Sequence, residues 1–361
     1  MNRSVVAVLK TKPETVVDDF GKLLDLAHYR DFVSTEAQVC LKINISWHHY
    51  FPGCSTSPWQ LEGVIKKLVS DGYDTKKLIP VHNSTVVVDP HPGQVNNKLE
   101  PILRKYGLEP IFLNEPAVQW VRYEPKEPML ALDKVFPDGI YIPEPLIGQS
   151  IIHLPTMKTH VFTTMTGAMK NAFGGLLQER RHWTHGVIHE TLVDLLVIQK
   201  EIHKGVFAVM DGTVAGDGPG PRAMRPHVKN YILASGDSVA IDAVAAKMMG
   251  FDPLSLKFIR LAHEKGLGCG DVSKIEIVGE DVSGVNFHFK ANEETFASRG
   301  QKMIYHGPLK PFEKCLLRSP IVPWSFLASR LYHDVYWYPC VGKKRVAEFM
   351  KTEWGKLFER Y

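Results

Sequence analysis

Short runs of β-branched and aliphatic residues recur along the chain, each long enough for a strand and too short for a buried helix. They fall at Val5 to Leu9, Val39 to Ile45, Leu78 to Val81, Glu109 to Leu113, Ser150 to Leu154, Val206 to Met210, Tyr231 to Ala234 and Lys274 to Val278. Between several of them lie amphipathic stretches with start and stop signals. Ser57-Pro58 offers a cap and a first-turn proline to Trp59 to Ser70, and Asp71-Gly72 closes that helix. Lys98 to Lys105 ends at Tyr106-Gly107, Asp237-Ser238 opens Val239 to Met249 ahead of Gly250, and Pro253 to Lys265 leads to Gly266. Strand, helix, glycine, strand repeated in this way predicts an α/β fold: two lobes with mainly parallel sheets and crossover helices.

The pattern breaks twice. From Glu115 to Pro145 prolines crowd the chain and suit neither a helix nor a central strand, so this stretch is expected to connect the lobes. From about Arg299 aromatic residues take over, among them Trp324, Phe326, Tyr332, Tyr336, Trp337, Tyr338, Trp354, Phe358 and Tyr361, with a basic cluster at Lys343-Lys344-Arg345. The expected division is an N-terminal lobe with its connector over 1–145, a second α/β lobe over 146–298 and an aromatic, basic extension over 299–361. The extension either wraps its own core or presents a surface to a membrane or protein partner.

Composition narrows the function classes. Of 361 residues, 43 are Lys or Arg and 39 are Asp or Glu, a formal charge of +4 that gives no footprint for nucleic acid. The first apolar run is too short for a signal peptide, and none reaches the 18 or so residues of a membrane span. A cytoplasmic protein, at most peripheral to a membrane, is the expectation. Five cysteines, Cys40, Cys54, Cys269, Cys315 and Cys340, stand far apart without a Cys-x-x-Cys, which argues against an iron–sulfur cluster, a zinc ribbon or a disulfide framework. The 16 histidines and 24 prolines are the less ordinary counts.

The densest chemistry follows the strand Ser150 to Leu154. Pro155, Lys158, Thr159 and His160 come first, then Gly167-Ala168-Met169-Lys170-Asn171-Ala172-Phe173-Gly174-Gly175. Ligands of α/β folds sit beyond the carboxyl ends of strands, where cations and loop N–H groups can hold an anion. Leu154-Pro155-Thr156-Met157-Lys158-Thr159-His160, continued by Thr166 to Gly174, resembles the central signature of the prokaryotic family called domain of unknown function 362. Leu41-Lys42-Ile43-Asn44 is similar to that family's early Lys-Pro-Asn strand end, with isoleucine where proline is usual. Val209-Met210-Asp211-Gly212 and Ala234-Ser235-Gly236-Asp237-Ser238-Val239-Ala240-Ile241-Asp242-Ala243 are similar to two later pieces, and the resemblance covers about Val39 to Glu280. It implies a family and no reaction. Many members carry a ferredoxin module that is not found here, and the redox role they imply is weakened accordingly.

Three further segments bear on a site. With Thr184 as a helix cap, His185 and His189 would share a face and could clasp a divalent transition metal with Glu190, Asp194 or His160; the same histidines beside Arg180 and Arg181 could instead hold phosphate. The run Asp211 to Arg222, rich in glycine and proline, reads as a loop in which Asp211 is a base, a metal ligand or purely structural and Arg222 forks onto an anion. Lys42, Asn44 and Ser46 alternate onto one face, Asp242 points to a neighbouring loop, and His48, His49 and Cys54 follow in a loop that folds over the pocket or stays on the surface. No Walker loop, dinucleotide fingerprint, Gly-x-Ser-x-Gly or His-Glu-x-x-His is present.

The function these residues favour is an enzyme acting on a small anionic metabolite in a cleft between the lobes. Lys42, Asn44, Lys158, Lys170, Asn171, Arg222 and Asp242 bind, His160, His185 and Asp211 exchange protons, and a metal-assisted version adds His185 and His189 as ligands. A redox or cofactor-related accessory protein and a non-enzymatic binding protein are the alternatives.

Overall fold

A computed structural model describes residues 4–291, 293–319 and 322–361. Twelve strands are found among them: β1 (Val5–Lys10), β2 (Val39–Ile43), β3 (Leu78–His82), β4 (Ile111–Phe112), β5 (Trp120–Tyr123), β6 (Ile140–Pro143), β7 (Ser150–Leu154), β8 (Thr156–His160), β9 (Thr164–Met165), β10 (Gly205–Asp217), β11 (Arg225–Ser235) and β12 (Glu276–Gly279). Ten of them form one sheet in the order β12-β1-β11-β10-β7-β2-β3-β4, with β8 beside β10 and β9 beside β8. Pairing is mainly parallel; β11 runs against both β1 and β10, and β9 against β8.

Alternation along the strands builds two cores, one on each face. Val6, Val8, Cys40, Ile151, Ala208, Met210 and Leu233 join one cluster. Their strand neighbours Ala7, Val39, Leu41, Ile152, Phe207, Val209, Ile232 and Ala234 join the other. The first face is covered by the helices Ile188–Ile202 and Ser238–Met249, the second by Val16–Leu26 and Pro58–Ser70. The caps read from sequence form as expected: Ser57 accepts from the Gln60 N–H, Asp237 accepts from Val239 and Ala240, and Gly250 ends its helix left-handed at φ 101°.

The proline-dense connector does not divide two sheets. β2, from before it, pairs with β7, from after it, over Val39 to Ile43, so the strands of both expected lobes share one sheet. The connector itself holds more structure than its prolines suggest: β5 and β6 pair antiparallel with Pro143 at the end of the pair, away from the central ladder. A second difference lies at β10, which continues through Asp211 to Asp217 where a loop was expected. Gly212 and Gly216 lie within the strand where neighbours leave little room for a side chain, and a Cβ at Gly216 would lie 2.6 Å from Met224 Sδ.

The extension is neither loose nor uniform. Phe349, Trp354 and Phe358 are buried in the second core, where Trp354 Nε1–H donates to Asn230 Oδ1 at 2.7 Å. Trp337 packs with Trp47 and Phe51 in a smaller cluster. Trp354→Ala should therefore cost about 3–5 kcal/mol in urea unfolding, the usual loss for a large buried aromatic, whereas exposed Trp324→Ala should stay within about 0.5 kcal/mol. A Trp354→Ala cost below about 1 kcal/mol would detach the end of the extension from the core.

Candidate functional site

A cavity of about 280 Å³ opens at the carboxyl edge of the parallel strands. The ends of β2, β3 and β8 supply Lys42, Ile43, His82 and His160, and Pro155 and Thr156 enter from the junction of β7 with β8. The short helix Ala168–Asn171 contributes Lys170 and Asn171, Arg222 comes from the segment after β10, and Arg181, His182 and His185 come from the 3₁₀ stretch Glu179–Val187. The extension forms the roof with Gln301, Tyr305, Leu317, Ser325, Phe326 and Ser329.

Four cationic side chains, Lys42, Lys170, Arg181 and Arg222, thus meet four histidines, His82, His160, His182 and His185. Among the described residues lining the cavity there is no Asp or Glu. Lys42 donates to the Ile43 carbonyl at 2.6 Å, and Lys170 lies over the Phe173 ring at 4.9 Å. Arg222 donates to Ser329 Oγ at 3.2 Å while its second terminal nitrogen is buried without a partner. Burial strips these groups of water, and none of the three makes an ion pair with a carboxylate among the described residues; the Asp334 charge only partly offsets the loss at Arg222. Desolvation, with Arg181 adding repulsion, brings Lys42 down to about 7; desolvation, then Lys158 and Arg181, brings Lys170 down to about 7 as well.

Three of the histidines, His82, His160 and His185, respond in the same sense. Burial first and the neighbouring cations second hold His82 and His185 at about 3 and push His160 well below its ordinary value, so all three are neutral at physiological pH. Neutrality leaves a definite tautomer. His160 Nδ1 accepts from the Phe162 N–H at 3.2 Å, which places the proton of the neutral ring on Nε2 as a donor. His185 Nδ1 faces the His182 carbonyl at 3.0 Å and must donate, leaving Nε2 a lone pair. The ring nitrogens of His82 have no partner at hydrogen-bond geometry, and the ring stacks on Phe112 at 5.0 Å.

Of the residues singled out in the sequence, Lys42, Asn44, His160, Lys170, Asn171, His185 and Arg222 line this one cavity. Asn171 ties its walls together by donating to the Lys42 carbonyl at 2.8 Å. Lys158 stands behind the wall, fully buried, donating to Ser46 Oγ at 2.7 Å and to the Cys54 carbonyl; desolvation lowers it to about 8. Asp242 also acts from behind. Its carboxylate accepts the N–H groups of Ala168 (2.6 Å) and Met169 (3.1 Å) and so seats the turn that carries Lys170 and Asn171. That approach needs a glycine at 167, where a Cβ would lie 2.2 Å from Asp242 Oδ1.

Asp211 does not reach the cavity. It is saturated by Ser57 Oγ (2.5 Å), Trp59 Nε1 (3.1 Å) and the Thr213 N–H (2.8 Å) on the other face of the sheet. The expected helix from Thr184 also starts later. Thr184 donates back to the Arg181 carbonyl, and the helix begins at Ile188, so His185 precedes it while His189 lies within it beside Phe258. The two are not on a shared helical face, and among the described residues they form no group of three ligands. Such a group does exist elsewhere: His48, His49 and Asp334, with ligating atoms within 4.8 Å of one another. There Asp334 accepts from Trp47 Nε1 at 2.7 Å and lies 3.7 Å from His48 Nε2, a clasp between the loop after β2 and the extension.

His82, Tyr305 and Ser329 were missed. His82 had a signal, being the polar residue after Val81 at the end of a parallel strand. Tyr305 and Ser329 had none, since no local pattern ties an aromatic extension to a sheet edge more than 100 residues earlier.

A family model described as Domain of unknown function (DUF362) matches residues 39–247, which span every strand-end loop of the cavity and stop short of its roof. "Thylakoid-associated protein sll1697" of Synechocystis sp. is 28% identical over 127 residues, 34% of this chain and 40% of that protein, so the match spans well under half of the relative. No solved structure matches.

The lysines set a pH dependence. Below about 7 they carry charge in both folded and unfolded states, and the penalty of burying it is fully present. Between there and the unfolded value of 10.5 the folded state releases its protons first, so stability rises with pH. Thermal unfolding of the ligand-free protein should therefore move upward from about pH 6 to about pH 9, and inorganic phosphate should flatten that slope. A midpoint that falls over this range contradicts the assignment.

Proposed function

The chain belongs to the family described as Domain of unknown function (DUF362), a name that assigns no reaction, and from its cavity we propose an enzyme that acts on a small organic anion with an apolar body. The observation that carries this reading is the lining itself: Lys42, Lys170 and Arg222 stand beside histidines with no carboxylate among the described lining residues, and none of these three makes an ion pair among the described residues. Protein cavities do not hold uncompensated cations without an energetic penalty, and an anionic ligand is the compensation such a site lacks. Val86, Val87, Phe162, Phe173, Leu317 and Phe326 supply apolar wall for the rest of the ligand. A volume of about 280 Å³ suits a metabolite, near the lower end for small-molecule sites.

The acid–base work falls to the lysines in this reading. A group that titrates near 7 is half-protonated at working pH and can both give and take a proton, which histidines held near 3 do poorly. His160 then serves as a neutral Nε2–H donor to the ligand, and Arg222 and Arg181 hold its charge. Asp242 and Lys158 support the walls. Thylakoid association is in the name of the Synechocystis relative, and it supports a place of work beside a membrane for this chain too.

Lys170→Met and Arg222→Gln test the reading. Each should weaken binding of inorganic phosphate or pyrophosphate by roughly tenfold to a hundredfold, the range for one charge-assisted hydrogen bond, in isothermal titration. Each should also raise the melting temperature of the ligand-free protein, because it removes a buried charge that has no carboxylate partner. Unchanged affinity in both variants would sink the proposal. Binding of phosphorylated or carboxylated amphiphiles without any conversion by NMR would leave a binding protein in place of an enzyme.

A further inference from the structure

The helix Pro323–Arg330 and the π-helix Leu331–Gly342 that continues it have one face toward the protein and one away from it. Ser329, His333 and Trp337, four residues apart, are buried. Ser325, Phe326 and Ser329 roof the anion cavity. Two residues along the chain is roughly half a turn, so Leu327, Leu331 and Val335 lie on the opposite side. An ordinary surface helix is polar there. Here these three are 59%, 51% and 65% exposed, with Trp324 and Tyr336 bared beside them and Leu309 and Phe312 bared earlier in the same extension.

Along the chain from Leu309 to Lys344 the exposed charges have one sign, and the next exposed charge is the acidic Glu348. Between 309 and 344 every exposed charged residue described is basic: Lys310, Arg330, Lys343 and Lys344. The acidic groups of the segment are engaged elsewhere, Glu313 by Arg318 at 2.9 Å and Asp334 by Trp47 at 2.7 Å. Leucine and valine at the centre, tryptophan and tyrosine beside them and lysine and arginine around them match the layering of an anionic lipid surface from acyl chains to headgroups.

We propose that this outer face of the extension docks on an anionic lipid bilayer, with the roof of the cavity turned toward the membrane. This deepens the membrane-side placement suggested above and stands on a different observation from the anion cavity. No helix of the described residues is long and apolar enough to cross a bilayer, so the attachment is interfacial.

Sedimentation of the full chain with vesicles tests it. Wild-type protein should co-sediment with phosphatidylcholine vesicles containing phosphatidylglycerol, and bind those of phosphatidylcholine alone about tenfold more weakly or worse. Leu327→Ser, Leu331→Ser and Val335→Ser combined should weaken vesicle binding by more than roughly a hundredfold, since three apolar side chains no longer enter the interface. The changed residues are exposed, so phosphate binding and melting temperature should not move, which separates failure of the surface from failure of the cavity. Lys343→Glu with Lys344→Glu should remove the preference for phosphatidylglycerol. Wild-type protein left in the supernatant with both vesicles, or a triple variant that sediments as well as wild type, overturns the proposal. So does a wild-type dimer in sedimentation equilibrium that the triple variant converts to monomer, which would assign the stripe to a second copy of the chain.

Discussion

Placing lysine side chains at the edge of a parallel sheet, out of water and away from carboxylates, is the constraint on which the rest of the site depends. Lys42 and Lys158 are 3% and 1% exposed, and neither has an acidic partner among the described residues. Each is instead accommodated by neutral oxygens, the Ile43 carbonyl for one and Ser46 with the Cys54 carbonyl for the other. Neutral acceptors satisfy the donors without cancelling the charge, so the proton becomes the variable that relaxes. That is why the lysines are brought toward neutrality and why the histidines among them are held uncharged.

The carboxylates that could have cancelled this charge are committed elsewhere by the fold. Asp242 accepts two N–H groups at the head of the Lys170 turn, Asp211 accepts from Ser57, Trp59 and Thr213, and Asp194 accepts the N–H groups of Leu130, Ala131 and Leu132. Each of these three accepts backbone N–H groups, and none makes an ion pair with a cation of the cavity. Burial accordingly raises Asp242 to about 7, against the pull of its two N–H donors, and raises Asp194 and Asp211 too. Like charges are gathered at the cavity and opposite charges kept from it, an arrangement that is stable without ligand only at some expense in folding free energy.

Much of this was legible in the sequence where local rules apply. The β-branched and aliphatic runs placed eight of the ten sheet strands, and Ser57, Asp237 and Gly250 act as the caps and stop they resemble. The position of Lys42, Lys170 and Arg222 followed from one rule, that loops after parallel strands converge. What failed was non-local. Asp211 sits at a strand position whose side chain faces away from the cavity, and a glycine-rich sequence hid the continuation of β10 through it. His185 and His189 are four apart, but a 3₁₀ stretch ends between them, and spacing alone does not reveal where a helix begins. The connector's prolines signalled a break in the central sheet, while β2 beside β7 shows that the chain crosses back into the same sheet after it.

The extension is the part that sequence separated from the chemistry and structure joins to it. Desolvation is the largest cause of the lowered Lys42 and Lys170 values, and desolvation at an open sheet edge requires a cover. Tyr305, Leu317, Phe326 and Ser329 are that cover, and all come from residues beyond the stretch that the family model matches. The strand-end loops therefore bring the cations together, and the extension decides how strongly water is kept from them. A chain with the same loops and an open edge would keep its lysines nearer their ordinary charged state, able to hold an anion but poorly placed to exchange a proton with it.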